Sequence, residues 1–353
     1  MSKQVKTPRF YVDMPTFLHA TGQLGWDDYK GGAELLYMNC ANPVMREDDS
    51  NTMFVIGNQN QNTPKTSFPI NFCALLNHNF GTETLNITSW SGLGNTMDGQ
   101  SLTDTNIYNK NVLNANINNA LNNTISPEYN GTSIWTFTET NDYFKEFQAL
   151  FPTGYDTSTN HQLGSFVVGK YWDAPYSPDL NLTMSRSFAG IKKQKTIGGK
   201  TLANIYYDGP TEWTMNDPDG TYKYPPFELD TTGTDFNQRV KSGLGRKGLR
   251  SWKLTFSYIP DGDMWMENEV SNTLTSDDVT PNNDIPNPML SDESFNFVWN
   301  CTLGGTLPFI FQPDKTNNNP DQFSICTFRE NTLNVQQNGP NVYQLSVTID
   351  EVA

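Results

Sequence analysis

Between Gly248 and Val352 the chain alternates apolar and polar residues with a period of two, and this pattern restricts the fold more than any other in the sequence. Trp252, Leu254, Phe256 and Tyr258 fall on one side, and Lys253, Thr255 and Ser257 on the other. The same rhythm returns near the end, where Tyr343, Leu345, Val347 and Ile349 oppose Gln344, Ser346, Thr348 and Asp350. Successive Cβ atoms of a strand point to opposite faces, so both stretches predict strands with one buried face and one wet face. Phe295, Phe297 and Trp299 alternate in the same way and predict a further strand. With Leu307 to Phe311, Phe323 and Ile325 they make one β domain over 248–353. Its expected core is Trp252, Leu254, Phe256, Phe297, Trp299, Phe309, Phe311, Leu345 and Val347.

The rest of the chain has the composition that such a fold needs. Aromatic residues make up 12% of the 353 and charged residues only 17%, with Asn, Thr, Ser, Gly and Pro filling much of the remainder. That mixture favours short strands joined by long polar turns and withholds the Ala, Glu, Lys and Leu that helices prefer. The expected class is all-β, and the length suits roughly two domains of about 150 residues.

Along the chain, Pro8 to Met14 reads as a strand stopped by Pro15, Ala33 to Met38 as a second, and Met53 to Ile56 as a third. A polar tract follows, which bounds an N-terminal strand region at 1–65. Phe68 to Phe80 is the most apolar passage of the first half and predicts a strand covered on both faces, with Leu85, Ile87 and Trp90 as its partner. Gly92 to Asn130 is rich in Asn and Thr and reads as a surface excursion, while Asn141 to Phe151 suits a strand or one short helix. Leu163 to Tyr171, the alternating Leu180, Leu182 and Met184, and Asn204 to Tyr207 complete a β-sandwich over 66–215. Residues 216–247, with Asp217-Pro-Asp-Gly and Tyr224-Pro-Pro-Phe, form a linker to the C-terminal domain.

A formal net charge of −15 opposes stable binding to nucleic acid, which depends on Lys and Arg neutralising phosphates. No segment approaches the length of a membrane helix, so no membrane insertion is expected, and the first residues lack the apolar core of a secretory signal. Cys40, Cys73, Cys301 and Cys326 are scattered beside apolar neighbours with no C-x-x-C spacing, a pattern of buried thiols and not of disulfides.

The motifs that suggest chemistry fail on their surroundings. Gly243-Leu-Gly-Arg-Lys-Gly248 has the letters of a dinucleotide fingerprint, but it precedes a strand, and the fingerprint must open a helix. Ile197-Gly-Gly-Lys-Thr201 resembles the tail of a phosphate loop, yet Gln194 stands where the first glycine belongs. Lys192, Lys193, Lys195 and Lys200 around it form the one basic cluster, either a solvated turn or a patch that docks an acidic partner surface. His19, His78 and His161 fit no zinc motif. Asp217 and Asp219, or Asp261 and Asp263, do not complete a calcium loop, because Met215 and Pro226 occupy ligand positions. No catalytic, metal or cofactor-binding residue is assigned. Glycoside cleavage needs two carboxylates roughly 5–9.5 Å apart across a cleft, and no local spacing marks such a pair. Trp90, Trp135, Trp172, Trp213 and Trp265 are candidates for stacking on sugars or for core packing.

Three passages of the C-terminal region carry a resemblance: Gly248-Leu-Arg-Ser-Trp-Lys-Leu-Thr-Phe-Ser-Tyr, Gly304-Gly-Thr-Leu-Pro-Phe-Ile-Phe-Gln-Pro-Asp and Asn341-Val-Tyr-Gln-Leu-Ser-Val-Thr-Ile-Asp-Glu. In this order they resemble tailed-bacteriophage virion proteins of the distal-tail and minor-tail kind. Asn71 to Phe80 and Leu163 to Pro175 resemble passages of tail proteins that carry a galactose-binding-like jelly-roll domain. The resemblance implies a jelly-roll sandwich followed by a C-terminal β-barrel or sandwich, in a non-enzymatic building block of the tail or baseplate. It also implies a homo-oligomeric ring, neighbouring tail proteins as partners, and a place in the virion after synthesis in the bacterial cytoplasm. A sugar-binding role does not transfer with the jelly roll, and no functional residue transfers. The alternatives are a carbohydrate-binding module that contacts a host glycan through aromatics between Gly92 and Trp172, and a polysaccharide-cleaving enzyme.

Overall fold

The computed structural model describes residues 5–22, 33–40, 44–45, 52–57, 68–78, 86–91, 108–113, 123–125, 131–136, 146–150, 162–187, 191–205, 248–266, 293–318 and 322–352. In chain order its strands and helices are β1 (Arg9–Asp13), α1 (Met14–Ala20), β2 (Val44–Met45), β3 (Thr52–Gly57), β4 (Phe72–His78), β5 (Asn86–Ser91), β6 (Tyr108–Leu113), β7 (Asn123–Ile125), β8 (Gly131–Thr136), β9 (Glu146–Leu150) and β10 (Gln162–Asp173). They continue as β11 (Thr183–Ser187), β12 (Ile191–Lys195), β13 (Thr201–Ile205), β14 (Leu249–Pro260), α2 (Asp261–Met264), α3 (Phe295–Cys301), β15 (Phe309–Gln312), β16 (Ser324–Phe328), β17 (Val335–Gly339) and β18 (Val342–Glu351). The described chain is mostly antiparallel sheet with a few short helices, as the all-β expectation requires.

Twelve strands form one sheet in the order β11-β14-β18-β16-β15-β1-β10-β4-β8-β7, with β17 added beside β18 and β2 beside β10. β1 lies at the junction. One edge pairs with β15, Phe10 facing Phe311, and the other pairs with β10, Phe10 facing Trp172. Strands of the C-terminal region thus continue through β1 into strands from residues 72–173. β3, β9, β5 and β6 form a separate four-stranded sheet, and β12 and β13 a two-stranded one.

Alternation sorts the central strands onto two apolar faces. Phe10, Val12, Phe166, Val168, Trp172, Trp252, Leu254, Phe309, Phe311 and Val347 belong to one cluster, which α1 and α3 cover with Phe17, Leu18, Phe295 and Phe297. Tyr11, Phe72, Ala74, Leu76, Val167, Ile310 and Ile325 belong to a second cluster on the opposite face. β15 is therefore buried at all four positions, which accounts for its continuous apolar run. All nine residues of the expected C-terminal core take part, Trp299 as a partly buried neighbour.

Several local expectations are corrected. Phe295 to Cys301 is a helix and not a strand. Phe295, Val298 and Cys301 repeat every three residues, and Phe297 with Cys301 every four, so one helical face buries what a period of two only partly explains. Ala33 to Met38 is not a strand: Ala33–Leu35 is a 3-10 turn, and Tyr37 and Met38 have φ of 60° and 51°, outside the extended region. β1 does end before Pro15, but the proline then sits in the first turn of α1, behind Asp13 as its N-cap. Tyr258 is exposed, because the pairing of β14 with β18 shifts between Phe256 and Ile259 and turns Ile259 inward in its place. β5, with Ile87 and Trp90, pairs with β6 and β9 and not with β4. Asn141 to Phe151 contributes the strand β9, the first of its two expected forms, and the excursion 92–130 carries the strands β6 and β7. Among the described strands, Asn204 and Ile205 pair with β12 and not with the large sheet.

Candidate functional site

One end of the large sheet collects exposed apolar side chains. Among the described residues the large hydrophobic side chains that face solvent are Tyr37, Tyr176, Leu180, Met184, Ile197, Leu202, Tyr258 and Leu303. Six of these eight belong to residues 176–202 or to the outer part of β14 beside them. Leu180 and Ile197 are as exposed as in an extended chain, at 102% and 110%. Tyr176, Leu180, Met184 and Tyr258 lie along the β14 edge and Ile197 and Leu202 on the hairpin that follows it in the chain. Apolar side chains gathered along a sheet edge mark an interaction surface more often than chance scatter does.

The segment 179–187 builds this edge by lying along β14. Asp179 N donates to Thr255 O at 2.8 Å, and Ser257 Oγ donates to the Asp179 carboxylate at 2.5 Å. β11 then continues in register from Thr183 opposite Lys253 to Ser187 opposite Leu249. It is the terminal strand of the order, and all five of its residues are exposed. Its outer row of N–H and C=O groups has no strand beside it among the described residues, the arrangement that invites another chain. Where the β14 pairing shifts, Tyr176, Ser177, Asp179 and Phe256 to Ile259 line a pocket of about 280 Å3.

Beyond β11 the chain makes an isolated hairpin. β12 and β13 pair from Ile191 opposite Ile205 to Lys195 opposite Thr201, and neither pairs with any other described strand. Thr196 N donates to Lys200 O at 2.8 Å, Gly199 N to Thr196 O at 2.9 Å, and Lys200 N to Thr196 Oγ1 at 3.1 Å. Gly199 has φ +79°, which only glycine adopts without strain. The stretch that resembles a phosphate loop is thus a hairpin tip running into a strand, with no helix N-terminus to receive a phosphate. Lys193, Lys195, Ile197 and Lys200 are all exposed on it.

A buried ionic lock holds the base of the edge. Arg250, near the start of β14, donates through its terminal nitrogen to Glu351 Oε1 at 2.6 Å and through Nε to Oε2 at 3.0 Å, and its backbone N donates to Oε2 at 2.8 Å. The same guanidinium donates to Phe323 O at 3.1 Å and to Ser324 Oγ. One arginine thereby joins β14, β18 and β16. A second ion pair, Arg9 on Asp173 at 2.6 Å with Lys315 at 3.2 Å, ties β1 to β10 and to the loop after β15.

The residues singled out in the sequence are not gathered here. Trp135 and Trp172 are buried, Trp265 packs partly buried on the core, Trp90 is described only by its backbone, and Trp213 lies outside the described residues. The aromatics that do face solvent at the edge are Tyr176 and Tyr258, which alternation assigned to the core or passed over. His19 meets Tyr37 Oη at 2.9 Å, and its partial burial lowers its pKa. His78 is the last residue of β4, and His161 lies outside the described residues. Asp261 and Asp263 lie on α2, whereas Asp217 and Asp219 lie outside the described residues. Gly248, with φ +66°, leads straight into β14, while Gly243 to Lys247 lie outside them. Among the described residues no group of three or more His, Cys, Asp or Glu is placed to hold a metal ion, and no helix is long and apolar enough to cross a membrane. All four cysteines are buried thiols; burial pushes Cys40 up to about 12 and raises Cys73 and Cys326 well above their ordinary value.

No family model matches the chain, and neither a curated protein nor a solved structure matches it.

Proposed function

We propose that this protein is a non-enzymatic structural component of a tailed-bacteriophage virion, a tail or baseplate building block that assembles into a homo-oligomeric ring and joins neighbouring tail proteins. In this reading 66–215 is a jelly-roll sandwich of the galactose-binding-like type, 216–247 is a linker, and 248–353 is the assembly domain. The observation that carries it is the fully exposed terminal strand β11, bordered by Tyr176, Leu180, Met184 and Tyr258. A sheet edge with its backbone groups unmatched and apolar side chains beside it is suited to strand addition by another subunit. The ion pair of Arg250 and Glu351, which ties β14 to β18, suits a part that bears load.

Light scattering on the purified protein tests this directly. An oligomer of ring size is expected, and Leu180→Lys with Met184→Lys should reduce it to monomer. A monomer at every concentration, together with absence of the protein from purified virions by mass spectrometry, overturns the reading.

A second reading, contact with a host glycan, draws on the pocket between Tyr176 and Tyr258, two exposed rings with the Asp179 carboxylate nearby. Glycan-array binding that Tyr258→Ala abolishes would favour it.

A further inference from the structure

The hairpin β12–β13 has a charge that the rest of the molecule lacks. Between Leu180 and Ile205 the chain carries Arg186, Lys192, Lys193, Lys195 and Lys200 and no acidic residue, which leaves −20 for the remainder of a chain whose net charge is −15. Bodies so acidic repel one another, and a cationic contact between them offsets that repulsion. The hairpin is placed to provide one. It follows β11 in the chain, pairs with no other strand among the described residues, and presents Lys193 and Lys195 two residues apart on one face. Lys200 lies at the base of its tip, and Ile197 projects from the tip itself.

We propose that this hairpin is an arm that docks on an acidic surface of a second copy of the same chain. Three observations favour a protein partner and this one in particular. Ile197 and Leu202 are exposed apolar side chains on the arm, which a polyanion such as DNA would leave in water and a protein surface would cover. A two-stranded hairpin by itself is marginally stable in water, and this one pairs with no other strand among the described residues, so docking adds packing to it. The remainder of this chain carries the opposite net charge. Because a basic arm on one copy meets an acidic face elsewhere on the next, the contact is heterologous. Heterologous contacts propagate head to tail and close into a ring where the rotation permits. The inference rests on the ring-building reading above and names the element and the force that hold neighbours together.

Three measurements on the whole protein test it. Sedimentation equilibrium at 50 mM and 500 mM salt should show association that weakens with salt, as screened ion pairs require. The triple variant Lys193→Glu, Lys195→Glu, Lys200→Glu should lose at least tenfold in association at low salt while keeping the parent's urea midpoint, since all three side chains are exposed. Carbodiimide cross-linking of a 14N and 15N mixture should join the lysines of the hairpin to Asp or Glu of the other isotope. Association of the triple variant equal to the parent's, or cross-links confined to one copy, overturns the arm and leaves the β11 edge standing if Leu180→Lys with Met184→Lys still dissociates the oligomer. A parent protein that stays monomeric overturns both. Binding of a DNA duplex that the triple variant loses, with self-association unchanged, assigns the hairpin to a polyanion and also overturns the proposal.

Discussion

Phe10 on β1 stands opposite Phe311 on β15, their ring centroids 5.1 Å apart, and the same phenylalanine meets Trp172 on β10 at 5.6 Å. Phe295, Phe309 and Phe328 complete a shell of rings around it. One side chain from the start of the chain thus fills the space between two sets of strands more than a hundred residues apart. Phe10→Ala should cost about 3–5 kcal/mol, the range for emptying a buried aromatic site. In a urea titration followed by tryptophan fluorescence the midpoint should drop in one transition, because Trp172 and Trp252 border the same cluster. Two separate transitions in the parent would show that β1 does not couple the two sets.

The lock between Arg250 and Glu351 makes a different prediction for single and paired changes. Glu351→Gln leaves a guanidinium in a largely enclosed site without its counter-charge and should cost about 3–5 kcal/mol. Arg250→Met with Glu351→Leu removes both charges and should recover most of that loss. Denaturant midpoints of the two variants and the parent decide it; equal losses would mean that packing alone holds the strands.

Much of this was legible in the residues and some was not, for physical reasons. β14 and β18 announce themselves because one face is wet, and alternation is then the direct image of burial. Tyr258 breaks that image: a shift in pairing is a property of two strands together, and nothing in the local pattern of one strand records it. Phe295 to Cys301 is short enough that periods of 2 and 3.6 fit its apolar residues about equally. Leu180, Leu182 and Met184 show the converse problem. Their alternation reads as a buried face, yet only Leu182 packs on the core, because coverage depends on what lies opposite the edge. The basic cluster is visible in the residues as a cluster, and its place on a hairpin separate from the large sheet is not.

Asp13 gives the stability a pH dependence of definite sign. It is fully enclosed, with Oδ2 accepting from Thr16 Oγ1 at 2.5 Å and Oδ1 from Thr16 N at 3.5 Å. Burial pushes its carboxyl from 3.8 up to about 7, against the effect of the Thr16 bonds. The folded state therefore holds a proton that the unfolded chain has released between those two values, and stability from this residue falls as pH rises through that window, then levels off. Asp13→Asn keeps an acceptor for the helix cap and has no proton to lose. The variant should gain on the parent progressively from pH 4 to pH 8 in urea midpoints, and a constant difference would refute the assignment.

The cysteines should be silent to reagents. Cys40, Cys73, Cys301 and Cys326 are each 4% exposed or less, and a thiol must ionise to react. Ellman's reagent should report no thiol in the native protein at pH 8 and four after denaturation. Rapid reaction of even one in the native state would show that its strand opens.

The position of β1 also bears on how the molecule comes into being. Arg9–Asp13 is synthesised well before its partners at Gly169–Asp173 and at Ile310–Gln312 leave the ribosome. The middle of the sheet must therefore wait, with Phe10, Tyr11 and Val12 exposed, while some three hundred residues are added. A topology dominated by such distant pairings folds slowly. The nascent chain should therefore gain from holding chaperones, and its soluble yield on expression should depend more on the rate of translation than on the final stability.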